Sequence, residues 1–242
     1  MWGKQKMSED KDKVLPPALV SHQITLATGA DEYRWSRRFN VALAYVWSRL
    51  LARPRYLHHE RLPEKGPYVL ISNHQSLLDV MLLHTLSKQN ICWIAKLSLF
   101  GKPLLGEAIR RFGAIPVDRS QADLSSVRTI LTVLREGGII GLFPEGTRVR
   151  WEKRGEILPK AGVASLLSRV NVPIVPVLIR GPYRKFHRTS IYIGEAFQFS
   201  KKELQELRAS DQQNAAERYL LERIYGLEKA LERELSGKGS EA

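Results

Sequence analysis

The sequence predicts an α/β fold: a single layered domain with a mostly parallel central sheet flanked by helices, preceded by an amphipathic N-terminal helix. Three observations carry that prediction. Short, strongly apolar runs alternate with segments of helical periodicity, the pattern of parallel strands joined by crossover helices. The 242 residues suffice for one substantial core, and no internal repeat or interdomain linker divides them. A hydrophobic fraction of 43% beside 26% charged residues is that of a folded globular chain.

Taken in order, residues 1–30 are a polar extension broken by Pro16-Pro17. Residues 31–56 read as an amphipathic helix. Trp35, Phe39, Ala42, Val46 and Leu50 recur at three- and four-residue steps, and Arg34, Arg38 and Arg49 gather on another face. With Trp47, such a helix can lie in a membrane interface; the plainer reading is a surface helix docked on its own domain. The core is expected over 57–200, with strands at 68–72, 91–95, 114–117, 139–143, 174–179 and 190–193. Between two of them, Ser120-Gln121-Ala122-Asp123 resembles a capping box. The helix it opens runs through Leu124, Val127, Leu131 and Leu134 and stops at Gly137-Gly138. Residues 201–242 complete the chain as helices packing on the core, with a frayed end.

A formal charge of +13 favours an anionic partner. Nucleic acid is not expected, because the best-ordered stretches are apolar strands with charges at their ends rather than aromatics interleaved with cations. The start lacks the apolar core of a signal peptide, and "VALAYVWSRLLA" is too short to span a bilayer, so no transmembrane helix is predicted. Cys92, the only cysteine, sits in an apolar run and reads as core packing. No Gly-x-Ser-x-Gly elbow, phosphate loop or dinucleotide glycine pattern is present.

Two stretches carry candidate chemistry. "SNHQSLLD", residues 72–79, sets a histidine and a carboxylate between two apolar runs. Neither belongs in a core unpartnered. If Asn73 caps the helix that follows, His74 lies in its first turn at the end of a buried strand, a common ligand position in α/β folds. In regular helix, His74 and Asp79 diverge by about 140°, so they meet only across a distorted turn. Should they meet, the carboxylate fixes the ring tautomer and makes a general base whose nucleophile must come from a substrate hydroxyl. "FPEGTR", residues 143–148, delivers a turn at a strand end with a flexible Gly146, a hydroxyl on Thr147 and a guanidinium on Arg148 suited to phosphate. Read alone, it is a tight turn with a solvated arginine. Pro173 and Pro176 in "NVPIVPVLI" mark an edge strand, a bulge or a cavity lining.

Together, "NHQSLLD", "FGAIPVDR", "FPEGTR" and "VPIVP" occur in the order of four blocks of the glycerolipid acyltransferase family. The chain resembles its lysophosphatidic acid acyltransferase (1-acylglycerol-3-phosphate O-acyltransferase) branch over about residues 60–195. The resemblance implies His74 as general base and Asp79 as its orienting partner. It implies a phosphate and glycerol site of Lys96, Arg119, Glu145, Gly146, Thr147 and Arg148. It associates Val172, Pro173 and Pro176 with the acyl chain or its donor. Val149-Arg150-Trp151 departs from the shorter, more polar turn of many relatives, so the resemblance does not carry over the shape of the rim beside the acceptor site.

The implied reaction moves a fatty acyl group from acyl-CoA or acyl carrier protein to the sn-2 hydroxyl of 1-acyl-glycerol-3-phosphate, giving phosphatidic acid. Another lysolipid, or glycerol 3-phosphate, is the alternative acceptor. No metal and no cofactor beyond the thioester cosubstrate are expected. The expected place is the cytoplasmic face of a membrane, peripheral or monotopic, on anionic lipids, with Trp35, Phe39, Trp47, Arg34 and Arg38 at the interface.

Overall fold

Apolar runs, most of them buried on both faces, and one half-buried edge segment, β1, build a seven-stranded sheet: β1 (Pro54–Leu57), β2 (Tyr68–Ser72), β3 (Ile91–Lys96), β4 (Ile115–Val117), β5 (Ile139–Leu142), β6 (Ile174–Arg180) and β7 (Thr189–Ile193). The computed structural model describes residues 42, 45, 46, 49, 52–118, 124–154, 156, 157, 162–183, 188–209 and 214–237. Trp35, Phe39, Trp47, Arg34 and Arg38, the capping-box residues 120–123, and Arg119 lie outside the described residues.

The spatial order is β1-β7-β6-β2-β5-β3-β4. From β6 to β4 every pairing is parallel, so five strands deliver their C-terminal ends to one edge. β7 runs antiparallel to β6, and β1 parallels β7, so the sheet is mostly rather than wholly parallel. Among the described residues, helices α1 (Leu78–His84), α2 (Leu105–Arg111), α3 (Leu124–Arg135), α4 (Val163–Leu167), α5 (Lys201–Ala209), α6 (Ala215–Tyr225) and α7 (Glu228–Gly237) join the strands and cover the faces.

Strand alternation divides the core into two layers. Val69, Ile71, Cys92, Ile140, Leu142 and Leu178 pack with Ile130, Val133 and Leu134 of α3 and with α6. Tyr68, Leu70, Trp93, Ile139, Val177 and Ile179 pack on the other side with Leu82 and Leu83 of α1. Burial of each such aliphatic side chain contributes about 1.5–3 kcal/mol. Coverage of both faces explains why these strands read as unbroken apolar runs. Cys92 is fully buried, and burial pushes its thiol up to about 12, the state of an inert core residue.

Three expectations need correction. Residues 54–56, expected to end the N-terminal helix, form most of strand β1; Arg53 turns to φ 39 and Pro54 cannot extend a helix, although residues 42, 45, 46, 49 and 52 are helical. β6, expected from its prolines to be an edge, a bulge or a cavity lining, is an interior strand between β2 and β7. Pro176 is tolerated because its carbonyl accepts from Gly194 N–H (2.8 Å) just beyond the β6–β7 register, so the missing donor falls at the ladder's end. The helix after "SNHQ" starts at Leu78 rather than beyond an Asn73 cap. α3 ends as expected: Gly137 takes φ 79, and Gly138 N–H closes on the Val133 carbonyl (2.8 Å).

Candidate active site

The late start of α1 lets histidine and carboxylate meet. With residues 73–77 outside the helix, the chain folds back on Asp79, and His74 Nδ1 lies 2.8 Å from Asp79 Oδ2. That same oxygen accepts from the backbone N–H groups of Gln75 (2.6 Å) and Ser76 (2.8 Å), while Oδ1 accepts from the Tyr183 hydroxyl. Asp79 is wholly buried. A buried carboxyl meeting donors on both oxygens is an acceptor only, so Nδ1 of His74 carries the proton and Nε2 keeps its lone pair. Among the described residues no protein group hydrogen-bonds that Nε2. Burial and the Asp79 charge push the Tyr183 hydroxyl far above its usual range, which keeps it a donor.

The loop after β5 clamps His74 at three points. Glu145 Oε2 accepts its backbone N–H (2.8 Å), Val149 N–H donates to its carbonyl (2.7 Å), and Phe143 stacks on its ring at 4.0 Å and 16°. Phe143 stacks in turn on Trp93 of β3, at 4.9 Å and 13°. Trp93 lies across its strand neighbour Gly141, where a Cβ would meet the indole at 2.7 Å. Only glycine leaves room for that ring. Gly146 takes φ 64, the turn that lets the chain reverse after Glu145. The end of β6 braces the other side. Asn73 exchanges bonds with Ile179, Nδ2 donating to its carbonyl (3.0 Å) and Oδ1 accepting its N–H (2.8 Å), and Gln75 Nε2 donates to the same carbonyl (2.7 Å).

Glu145 was expected among the groups that touch the acceptor phosphate, and the structure corrects this. It is buried, with Oε2 on His74 N–H and Oε1 accepting from the Tyr225 hydroxyl of α6. Burial pushes its carboxyl up to about 7, against the lowering effect of those two bonds. Glu145 holds the histidine loop; it does not face ligand. The cations differ. Lys96 at the end of β3, and Thr147 and Arg148 after β5, are exposed along the same sheet edge as His74. Val172 and Pro173 are not brought to the site. The Pro173 carbonyl accepts from Val69 N–H (2.9 Å), about 13 Å down β2 from Asn73. A cavity of about 440 Å³ lined by Arg169, Asn171, Phe199 and Lys201 adjoins them at that far edge.

Val149-Arg150-Trp151, the departure noted in the sequence, shapes the rim. The Trp151 ring is sandwiched by the guanidiniums of Arg154 and Arg180, each 4.3 Å from its centroid. Glu228 of α7 pairs with both arginines, at 3.1 and 3.5 Å. Sequence reasoning missed Tyr183, Tyr225, Trp93 and this sandwich. Tyr183 and Tyr225 lie 104 and 80 residues from the carboxylates they serve, and no local pattern marks them.

Comparison with known proteins bears on the family and the fold. The family profile described as Acyltransferase matches residues 53–180, from β1 to the end of β6. The chain is 31% identical over 159 residues to the chloroplastic 1-acyl-sn-glycerol-3-phosphate acyltransferase BAT2 of Brassica napus, covering 62% of this chain and 44% of that protein. It is 33% identical over 125 residues to 1-acyl-sn-glycerol-3-phosphate acyltransferase of Bacillus subtilis, covering 51% and 60%. The chain thus spans about half the length of these relatives. The crystal structure of the 1-acyl-sn-glycerophosphate (LPA) acyltransferase PlsC from Thermotoga maritima superposes with a TM-score of 0.58 at 19% identity, over 88% of this chain and 95% of that one, which shows a shared fold. With the family profile over more than half its length, the chain belongs to the Acyltransferase family.

Proposed function

We propose that the protein transfers a fatty acyl group from an acyl thioester, acyl-CoA or acyl-ACP, to the sn-2 hydroxyl of 1-acyl-glycerol-3-phosphate. The observation that carries this reading is the His74–Asp79 pair at 2.8 Å, with Nε2 free of described protein partners and exposed cations along the same edge. The names of the relatives supply the acceptor.

An unactivated alcohol is a poor nucleophile. His74 Nε2 takes its proton as the oxygen attacks the thioester carbon, forming the tetrahedral intermediate. As that intermediate collapses, the C–S bond breaks and the same proton passes to the departing thiolate. Asp79 stabilises the imidazolium between the two steps and keeps the ring in its tautomer. Arg148, Lys96 and, from the family resemblance, Arg119 bind the acceptor phosphate and hold the hydroxyl beside His74, turning a bimolecular encounter into a positioned one. Acceptor and product are lipids, so we place the work at a bilayer surface, with the N-terminal segment and anionic headgroups contributing.

Purified protein supplied with a panel of lysolipids and both thioester donors, with thiol release as the readout, tests the assignment. Lysophosphatidate is expected to be the preferred acceptor, and His74→Ala to lower turnover about 10²- to 10⁴-fold. Full turnover in the variant, or no release from the wild type with any pair, would sink the reading.

A further inference from the structure

Val149-Arg150-Trp151 takes no part in the acyl-transfer steps, yet the structure fixes this stretch residue by residue. Val149 is buried, and its N–H donates to the His74 carbonyl (2.7 Å). The Arg150 carbonyl accepts from Lys153 N–H (2.9 Å), which closes a tight turn over Trp151–Lys153. The Trp151 carbonyl accepts from Arg154 Nη1 (3.0 Å), and its sandwiched ring meets Tyr225 edge-on at 6.0 Å and 66°. Arg150 is therefore held between two anchored neighbours, and the first of them is bonded to the catalytic histidine.

Burial alternates along this arm. Arg148 is exposed, Val149 is only 3% exposed and Arg150 is exposed again, with an extended backbone at φ −66 and ψ 145. In extended chain, residues two apart share a face, with Cα atoms about 6–7 Å apart. With Val149 turned inward, Arg148 and Arg150 stand side by side on the outer face. Their treatment differs from that of the two nearby arginines. Arg154 and Arg180 are both neutralised by Glu228, at 3.1 and 3.5 Å. Among the described residues, no carboxylate pairs with Arg148 or Arg150. Two like charges fixed this close repel one another, and an anion of matching charge relieves that cost.

We infer that Arg150 is a specificity-determining residue which, beside Arg148, selects an acceptor carrying a phosphomonoester over lysolipids carrying a phosphodiester. A guanidinium grips two oxygens with its fork. A phosphodiester headgroup has two terminal oxygens and a single charge, so Arg148 alone satisfies it. A phosphomonoester has a third terminal oxygen and a charge of about −1.5 to −2 near pH 7. Arg150 takes up what only the monoester offers. Each terminal oxygen accepts more than one bond, so Lys96, reaching in from the end of β3, adds to this set without filling it. A merely solvated arginine would treat both headgroups alike. The inference deepens the acyl-transfer reading and rests on it for the placing of the acceptor beside His74.

Calorimetric titration of the full chain with glycerol 3-phosphate, a monoester, and glycerophosphoglycerol, a diester, reads this preference without turnover. The wild type is expected to bind the monoester more tightly. Arg150→Gln should cut that preference about tenfold, the loss of one charge-assisted contact. Arg150→Lys should restore part of it, with a point charge in place of the fork. Lys153→Gln, which removes an exposed charge from the same turn, should leave the preference intact. The melting temperature of ligand-free Arg150→Gln should hold or rise, because one of two repelling charges is gone. No preference in the wild type, an equal loss for both ligands in Arg150→Gln, or the same effect from Lys153→Gln would each overturn the inference. Thiol release with lysophosphatidate and with lysophosphatidylglycerol is measured in parallel. If the wild type releases none with either, the acyl-transfer reading falls and calorimetry still decides the role of Arg150. If it turns over and Arg150→Gln leaves the ratio of the two acceptors unchanged, the inference falls and the reading stands.

Discussion

The ends of β2, β5 and β6 and the ends of β3 and β4 share one edge of one sheet, yet they are built on opposite terms. On the first side, His74 has its backbone N–H, its carbonyl, its ring face and its Nδ1 all engaged, by Glu145, Val149, Phe143 and Asp79. The carboxylates there are buried and capped by tyrosines from distant segments. On the second side, Lys96, Lys102 and Leu104 stand exposed. The difference follows the task of each. A base must keep its lone pair within tenths of an ångström of a proton, so its surroundings are fully satisfied before substrate arrives. Cations that recruit a phosphate must offer unfilled hydrogen bonds, so theirs are left for the ligand.

The largest expected contrast comes from Arg148, which follows β5 on the clamped side yet stands exposed like the cations of the open side. Arg148→Ala removes charge-assisted bonds to the acceptor phosphate worth about 1.5–3 kcal/mol, so kcat/KM should fall roughly 10- to 100-fold, mostly through KM, with no loss of thermal stability. A variant that lost stability instead would show that Arg148 is structural. Tyr183→Phe should behave in the opposite way. It strips the donor from Asp79 Oδ1 and leaves a buried carboxylate oxygen unpaired, so stability should fall by about 1–3 kcal/mol, with kcat lowered and KM little changed.

The third effect emerges only as pH changes, and it sharpens the picture of the clamped side. The Glu145 carboxyl is raised from its ordinary 4.5 to about 7, so the folded protein holds that proton more tightly than the unfolded chain does. The associated stability is full below pH 4.5 and is lost as pH rises through about 7. Glu145→Gln keeps an acceptor for His74 N–H and cannot ionise. Denaturation at a series of pH values should show the wild type weakening between pH 5 and 8, on the order of 2–3 kcal/mol, relative to the variant. Parallel curves for the two proteins would mean that Glu145 is not the group responsible.

The strands from β2 to β7 were legible because burial on both faces turns each into a short apolar word: 68–72 matches β2, and 190–193 differs from β7 by one residue. Their directions were less so, since nothing in "TSIYI" says that β7 runs against β6. β1 was invisible. Its four residues, Pro54–Leu57, begin with proline and include an arginine, and only pairing with β7 makes them a strand. At the site, His74 and Asp79 could be named from the motif, but their contact could not be derived, because helical geometry argues against it and the resolution lies in where α1 begins. Glu145 was given a ligand role by the family resemblance of "FPEGTR", whereas its partners come from residues 74 and 225. Side chains that act across 80 or 104 positions leave no local period to read.

The family stretch ends at residue 180, but the foldable unit does not. Tyr225 and Glu228, which cap Glu145 and tether the Arg154–Trp151–Arg180 stack, both lie well past that boundary. A polypeptide trimmed to the shared segment would keep every residue of the four blocks and lose the braces behind them. Inheritance and mechanical integrity therefore draw different borders on this chain, and anyone minimising it should cut by the second.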